Sequence, residues 1–387
     1  MNVADALEKL DAWIEQQQFR GWDPHDALNS PFVRALTFGN RYLGIAALQA
    51  VKRSPINLRP LLGVRKGHNP KAMGLFLASY ARKYAASGDR HDLDIAVQMG
   101  EWLIANVSPG FHGACWGYNF DWPNRAFYAH RGTPTVVNTA FNGLAFVDAA
   151  RLLSREVPFD AMQMARSACD FILRDLNIRS EGDEVCFSYT PGDQRCAHNA
   201  NVLGGQLLAE VSVATGDADL RAEALRSARF TARRQRPDGS WPYGTAGNDA
   251  WVDNFHTAYV IVALHRIGRA TGSSEFDDAV ERGRDYWLRN MFTEDGVPMY
   301  YAGRLYPIDI HAVAEAILAF LDLGMGDRAW SLAGWAVENM QDEAGFFHFQ
   351  IHRRYRIRTP FIRWSQAWMQ RALTELSFSP SRNSRDD

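Results

Sequence analysis

Five times along this chain an amphipathic helix pattern ends in a short turn of glycine and aromatic residues, and a more apolar helix pattern follows. The turns are Gly113-Ala-Cys-Trp116-Gly-Tyr118, Gly182-Asp-Glu-Val-Cys-Phe187, Gly239-Ser-Trp241-Pro-Tyr243, Gly296-Val-Pro-Met-Tyr300-Tyr301 and Gly345-Phe-Phe-His348. Their glycines stand 69, 57, 57 and 49 residues apart. Self-similarity at such a period marks an array of helical hairpins. If the array closes into a ring, all five turns fall on one rim around one central hole, and their aromatic and polar residues converge there.

Caps and apolar spacing predict helices near 3–18, 32–52, 69–86, 92–106, 137–153, 159–175, 197–214, 217–235, 254–268, 275–291, 310–323, 327–340 and 361–377. From residue 69 they alternate. One set has a polar face, as in Asp217-Ala-Asp-Leu-Arg-Ala-Glu-Ala-Leu-Arg226; the other is apolar nearly all round, as in Thr257-Ala-Tyr-Val-Ile-Val-Ala-Leu264. A helix apolar on all sides must be buried. Six such helices, starting near 69, 137, 197, 254, 310 and 361, ringed by six amphipathic ones, predict an all-α fold: an (α/α)6 toroid of six helical hairpins with an extra N-terminal helix over an end or flank. An open solenoid also explains the repeat, but six is the number that closes. No Pro/Gly/Ser-rich linker divides the chain, so residues 1–377 are expected to form a single domain, with 378–387 a mobile polar tail.

The net charge of −2 argues against a nucleic-acid partner. No apolar run of membrane-spanning length occurs and the N-terminus lacks a signal-peptide pattern, so a cytoplasmic protein without a membrane span is expected. The four cysteines show no Cys-x-x-Cys spacing and are expected to remain reduced. Nothing in the pattern specifies an oligomeric state. Aromatics are the compositional outlier at 12% of the chain, and many lie in turns rather than on helix faces.

Three insertions interrupt the repeat, at 116–135, 245–256 and 300–311, each mixing aromatic rings with carboxylate, amide, Arg or His. That is the make-up of a sugar site, in which rings cover pyranose faces and polar groups fork onto hydroxyls. Candidate binding residues are Trp116, Tyr118, Trp122, Arg125 and Arg131 in the first; Trp241, Tyr243 and Asn254 around the second; and Tyr300 in the third. Asn138, His198, His348 and Arg363 lie at other inner-helix starts or turns. Glycoside cleavage needs one carboxyl to protonate the leaving oxygen and a second to activate water or attack the sugar. Asp121, Asp253 and Asp309 are the rim candidates, with His256, His311 and Tyr301 assisting. Asp253 and Asp309 also stand where helix N-caps belong, which makes Asp121 the principal candidate: its exchange for Asn is expected to abolish turnover. The histidines beside Asp253 and Asp309 equally suit proton abstraction in a lyase or epimerase. No His-Glu-x-x-His motif or Cys/His cluster occurs, so no metal or cofactor is expected.

Basic residues crowd the last turn, from His352 through Arg353, Arg354, Arg356 and Arg358 to Arg363. With Arg125, Arg131 and the inner-helix dipoles they favour an anionic ligand; a solvated strand face explains the 352–358 alternation equally well. Gln235-Arg-Pro-Asp-Gly239-Ser-Trp241 fits the Gln-x-x-x-Gly-x-Trp pattern of squalene-cyclase-like toroids, where it ties a helix end to a turn. The acid and diphosphate motifs of terpene chemistry are missing, so a cyclase-like enzyme ranks low.

Several segments together resemble a family of bacterial polysaccharide-biosynthesis proteins of the VpsJ type: Gly21-Trp-Asp23-Pro-His-Asp26-Ala-Leu-Asn29-Ser30, Trp116-Gly-Tyr-Asn-Phe-Asp-Trp122 with Gly132-Thr-Pro-Thr-Val-Val137, and Pro237-Asp-Gly-Ser-Trp-Pro-Tyr243 with Trp251-Val-Asp-Asn-Phe-His-Thr257. The resemblance covers most of 20–270. It implies a six-hairpin-glycosidase-like carbohydrate-active protein in exopolysaccharide or surface-polysaccharide production; the expected substrate is an oligosaccharide or polysaccharide, lipid-linked or, from the basic residues, acidic. It brings no established catalytic residues, but it draws Asp23 and Asn29 into the candidate site as a loop covering the hole. The expected reaction is glycoside hydrolysis. A lyase or epimerase step, or non-catalytic glycan binding and assembly, are the alternatives.

Overall fold

The computed structural model describes residues 2–123, 128–153 and 156–378. Its fourteen α-helices are α1 (Val3–Gln16), α2 (Pro31–Thr37), α3 (Arg41–Arg53), α4 (Pro70–Ser87), α5 (Arg90–Ala105), α6 (Val136–Leu153), α7 (Ala161–Arg174), α8 (His198–Thr215), α9 (Ala218–Ala232), α10 (Asn254–Thr271), α11 (Asp277–Asn290), α12 (Ile310–Asp322), α13 (Gly326–Met340) and α14 (Trp368–Phe378). A π-helical turn, Ile362–Ala367, leads into α14. The inner helices α4, α6, α8, α10, α12 and α14 each touch the next, and α14 returns to α4, so the ring closes into the expected (α/α)6 toroid.

The N-terminal helix has a different place from the one expected. α1 is not the surplus element but the sixth outer helix, packed on α14 and α13. Gln370 donates to Asp11 across the closure at 3.1 Å. The surplus is the segment from 20 to 67, where the helix expected over 32–52 breaks into α2 and α3 at Phe38 and Gly39, both in the left-handed region. Its two ends pair through Gly21 and Gly67, Trp22 bridges to Phe361, and the segment lies over the rim.

The glycine–aromatic turns lock each outer helix to the ring. Trp241 is buried and its indole donates to Thr231 O (2.9 Å), while the Gln235 amide donates to Gly239 O and Ala279 O (3.0 and 2.9 Å). At 345 the backbone turns with φ +99°, and a Cβ there would stand 2.3 Å from Lys9 O. Gly345→Ala is therefore expected to pry α1 from the ring and cost at least ~1–3 kcal/mol, read as a lowered midpoint in thermal denaturation; an unchanged midpoint would refute the closure role of α1.

Candidate functional site

The inner-helix N-termini all point to the rim carrying the aromatic turns, and there a cavity of 540 Å³ opens. This is in the range of small-molecule sites. Its walls are aromatic: Trp251 stacks on Tyr243 at 4.3 Å, Trp122 lies 5.7 Å from Tyr189, and Tyr118 stacks on Phe120 at 5.2 Å. Three of the five turns supply lining residues, through Tyr118, Tyr243, and Tyr300 with Tyr301.

Three histidines stand on these walls, and two of them, His256 and His311, come from the starts of inner helices. Asp253 caps α10 by accepting the His256 backbone N–H (2.9 Å), and both its oxygens also take the His256 Nδ1 (2.8 and 2.9 Å). A carboxylate only accepts, so Nδ1 carries a proton, and in the neutral form of the ring Nε2 is the nitrogen with the lone pair. His311 Nε2 meets the Tyr259 hydroxyl at 2.8 Å. Burial, then the neighbouring Lys71, Arg363 and His256, hold the His311 imidazolium well below the usual range, so His311 is neutral, and its tautomer with the proton on Nε2 donates to the Tyr259 oxygen and leaves the hydroxyl proton free. The two imidazoles lie 4.1 and 4.9 Å from the ring of Phe255 between them.

Most of the remaining charges are matched. Asp249 is buried in an ion pair with Arg195. Arg363 forks onto Asp23 at 2.6 and 2.8 Å. Burial pushes the Asp23 carboxyl upward, but Arg363 and His25 outweigh it and hold the group below the usual range. His25 is driven down to about 4 by burial and by Lys52, against the pull of Asp23. Lys52 and Lys71 line the same cavity. Lys71 Nζ sits 3.9 Å over the Phe141 ring and 5.0 Å over that of Trp368.

Of the residues singled out in the sequence, Tyr118, Trp122, Tyr243, Asp253, His256, Tyr300, Tyr301, His311 and Arg363 line this cavity. Asp121 does not. Its loop folds outward, where the carboxylate takes the Arg131 backbone N–H (2.8 Å), the Tyr128 hydroxyl (3.3 Å) and Arg34 (3.5 Å) beside a separate 140 Å³ pocket. The Asp121–Asp253 and Asp121–Asp309 acid pairs are thereby removed. Asp309 is buried behind the wall, capping α12 through the His311 N–H (2.9 Å) and taking donors from Trp364 (2.9 Å) and Gln350 (2.6 Å).

Other candidates serve the frame. Trp116 is fully buried and donates to Leu103 O; Asn254 bridges Trp287 and Met291 O; Asn138 accepts from Asn142 inside the ring. Asn29 ties to Asn119 O, His348 to Asp342, and Asp23 stands behind Arg363. His198 is buried at the start of α8 beside Trp241, pushed down to about 4 by burial and Arg234. Arg131, Arg353, Arg354, Arg356 and Arg358 are exposed outside the cavity, and Arg125 lies outside the described residues. Sequence reasoning missed His25, Lys52, Lys71, Tyr189, Arg195, Tyr259 and Trp364. Of these, His25 and Lys52 come from the segment over the rim, and no spacing signal links them to residues 200–300 positions away.

No family model matches the chain, and no curated relative matches it. Among solved structures it is similar to cellobiose 2-epimerase from Bacillus thermoamylovorans (12% identity over 81% of this chain and 90% of that one, TM-score 0.63). It is likewise similar to a GH76 α-mannanase from Bacteroides thetaiotaomicron (11%, 82% and 87%, TM-score 0.63) and to an unsaturated glucuronyl hydrolase from Bacillus sp. GL1 (17%, 78% and 85%, TM-score 0.56). At these identities the likeness is one of fold, and the fold is the (α/α)6 toroid.

Proposed function

We propose that this protein is a carbohydrate-active enzyme moving a proton at the carbon beside the carbonyl of a reducing sugar, an isomerisation or a C2 epimerisation. The observation that carries this reading is the pair of imidazoles flanking Phe255, one backed by Asp253 and the other by Tyr259, in a cavity whose lining carboxylates are both engaged by protein partners. His256 Nε2 takes the proton from C2 of the open-chain sugar. Tyr259, accepting from His311 Nε2–H, donates its own hydroxyl proton toward the carbonyl oxygen and stabilises the enediolate. Return of the proton to C1, or to the other face of C2, gives ketose or epimer.

Hydrolysis, the reaction first expected from Asp121, requires two facing carboxyls within roughly 5 to 10 Å. Asp253 is occupied by His256 and Asp249 by Arg195, which counts against that reaction. The printed name of one structural neighbour, a cellobiose 2-epimerase, accords with proton transfer; that of the α-mannanase accords with the earlier expectation. Lys52 and Lys71 line the cavity with no ion pair among the described residues; burial lowers both, and an acidic sugar beside them would restore their charged forms, which supports an anionic substrate. The resemblance to polysaccharide-biosynthesis proteins supports a place in exopolysaccharide or surface-polysaccharide production.

Incubation with neutral and acidic aldoses and reducing disaccharides, followed by carbohydrate chromatography, tests the reading. The expected product is an isomer of unchanged mass. Shortened oligosaccharides without any isomer would overturn it in favour of hydrolysis.

A further inference from the structure

The segment over the rim has a surface unlike the rest of the molecule. No Asp or Glu occurs between Asp26 and Asp89, whereas Arg34, Arg41, Arg53, Arg65 and Lys66 fall within 34–66, in a chain whose net charge is −2; Arg59 is buried on Asp26 and Lys52 faces the cavity. Among the described residues, thirteen large apolar side chains stand exposed, and seven of them lie between 32 and 61: Phe32, Leu36, Phe38, Tyr42, Leu43, Ile56 and Leu61, at 48 to 86%. Scattered apolar residues on a surface need no explanation, but a contiguous group marks an interaction site.

Part of the group is contiguous through α2 and the 60–63 loop. Phe32 and Leu36 are one turn apart on α2. Phe32 reaches the 60–63 loop, where its ring would stand 3.9 Å from a Cβ on Gly63. Ser30 Oγ donates to Leu62 O at 2.6 Å, tying the start of α2 to that loop. Phe38 is the most exposed of the set at 86%, and it sits at φ +49°. A bulky side chain in the left-handed region is disfavoured, and here no packing offsets the cost. Burial of the ring in another phase would. Around these side chains stand the exposed cations Arg34, Arg53, Arg65 and Lys66.

We propose that this face docks on an anionic lipid bilayer, with Phe38, Leu61 and their neighbours entering the headgroup–acyl boundary and the surrounding cations meeting lipid phosphates. Apolar insertion beside basic residues is the physical recipe for an interfacial anchor. A protein partner would also cover apolar area, but a segment with no acidic group between Asp26 and α4, whose neighbouring carboxylate, Asp121, is already held by Arg34, matches a surface that is uniformly negative. α3 supplies both this face and, through Gln49 and Lys52, part of the cavity wall. Docking therefore holds the sugar site at the membrane surface, within reach of a glycan carried on lipid. The proposal stands apart from the reaction assigned to the cavity.

Sedimentation of the full chain with phosphatidylcholine vesicles and with vesicles containing phosphatidylglycerol tests it. The expected result is binding to the anionic vesicles alone, weakened by salt. Phe38→Ser with Leu61→Ser is expected to reduce binding tenfold or more, and each of Arg53→Gln and Arg65→Gln by about fivefold, with thermal midpoint and sugar turnover unchanged. Equal binding to neutral vesicles, no binding to anionic ones at low salt, or a wild-type dimer that Phe38→Ser converts to monomer would overturn the proposal, the last in favour of a second copy on this face.

Discussion

His256→Asn is expected to lower turnover of the sugar substrate by about 10²–10⁴-fold, the usual worth of a positioned general base. Sugar affinity and thermal midpoint should change little, because the side chain is partly open to the cavity and the α10 cap comes from Asp253 accepting a backbone N–H. Asp253→Asn tests the same arrangement from behind. An amide in that position no longer fixes the proton on Nδ1, so kcat should fall while KM holds, and the thermal midpoint should change little because Asn caps a helix as well as Asp. Steady-state kinetics beside differential scanning calorimetry separates these effects. A fully active His256→Asn variant would remove the base from the reaction.

The largest expected stability change is that of Arg363→Met. Arg363 is buried and forks onto Asp23, itself buried, with the guanidinium 4.9 Å over the Tyr118 ring. Removing it leaves the Asp23 charge without its chief partner, a loss of about 3–5 kcal/mol for a buried pair. Adding Asp23→Asn to the Arg363→Met variant should recover part of that loss, since no uncompensated charge then remains. Chemical denaturation of the three variants checks the ordering: a double variant less stable than Arg363→Met alone would contradict it. The pair also holds the segment over the rim against the π-helical turn at 362–367, so its loss should open the cavity as well as weaken the fold.

The toroid was legible because the two helix populations differ so plainly. A stretch such as Ala312–Phe320 has no polar face and can only be an inner helix, and each glycine turn marks a hairpin. Ring closure itself left no local trace. Nothing in residues 3–16 says that they complete the outer layer against 368–378, so α1 was misplaced as a surplus helix. At the site, Asp253 and Asp309 were recognisable as caps from their position before apolar helices, and the structure shows both capping.

Asp121 was misjudged for a related reason. An aspartate between aromatic residues looks like a rim group when only the repeat is known, but its partners Arg34 and Tyr128 draw it to the outside. Arg34 belongs to the segment that the repeat does not include. The same segment carries His25 and Lys52 into the cavity. Long-range approach of this kind has no periodic signature, and it accounts for most of what the sequence reading missed. Tyr259 and Trp364 were hidden differently, as aromatic residues in helical patterns that read equally well as core.

The central claim is carbon–hydrogen chemistry at the position beside the sugar carbonyl. Reaction in D2O, read by proton NMR and mass spectrometry, tests it most directly. The account predicts deuterium bound to carbon at C1 or C2 of product and recovered substrate, with the signal lost in His256→Asn. Turnover that releases new reducing ends while every carbon-bound proton is retained would contradict it.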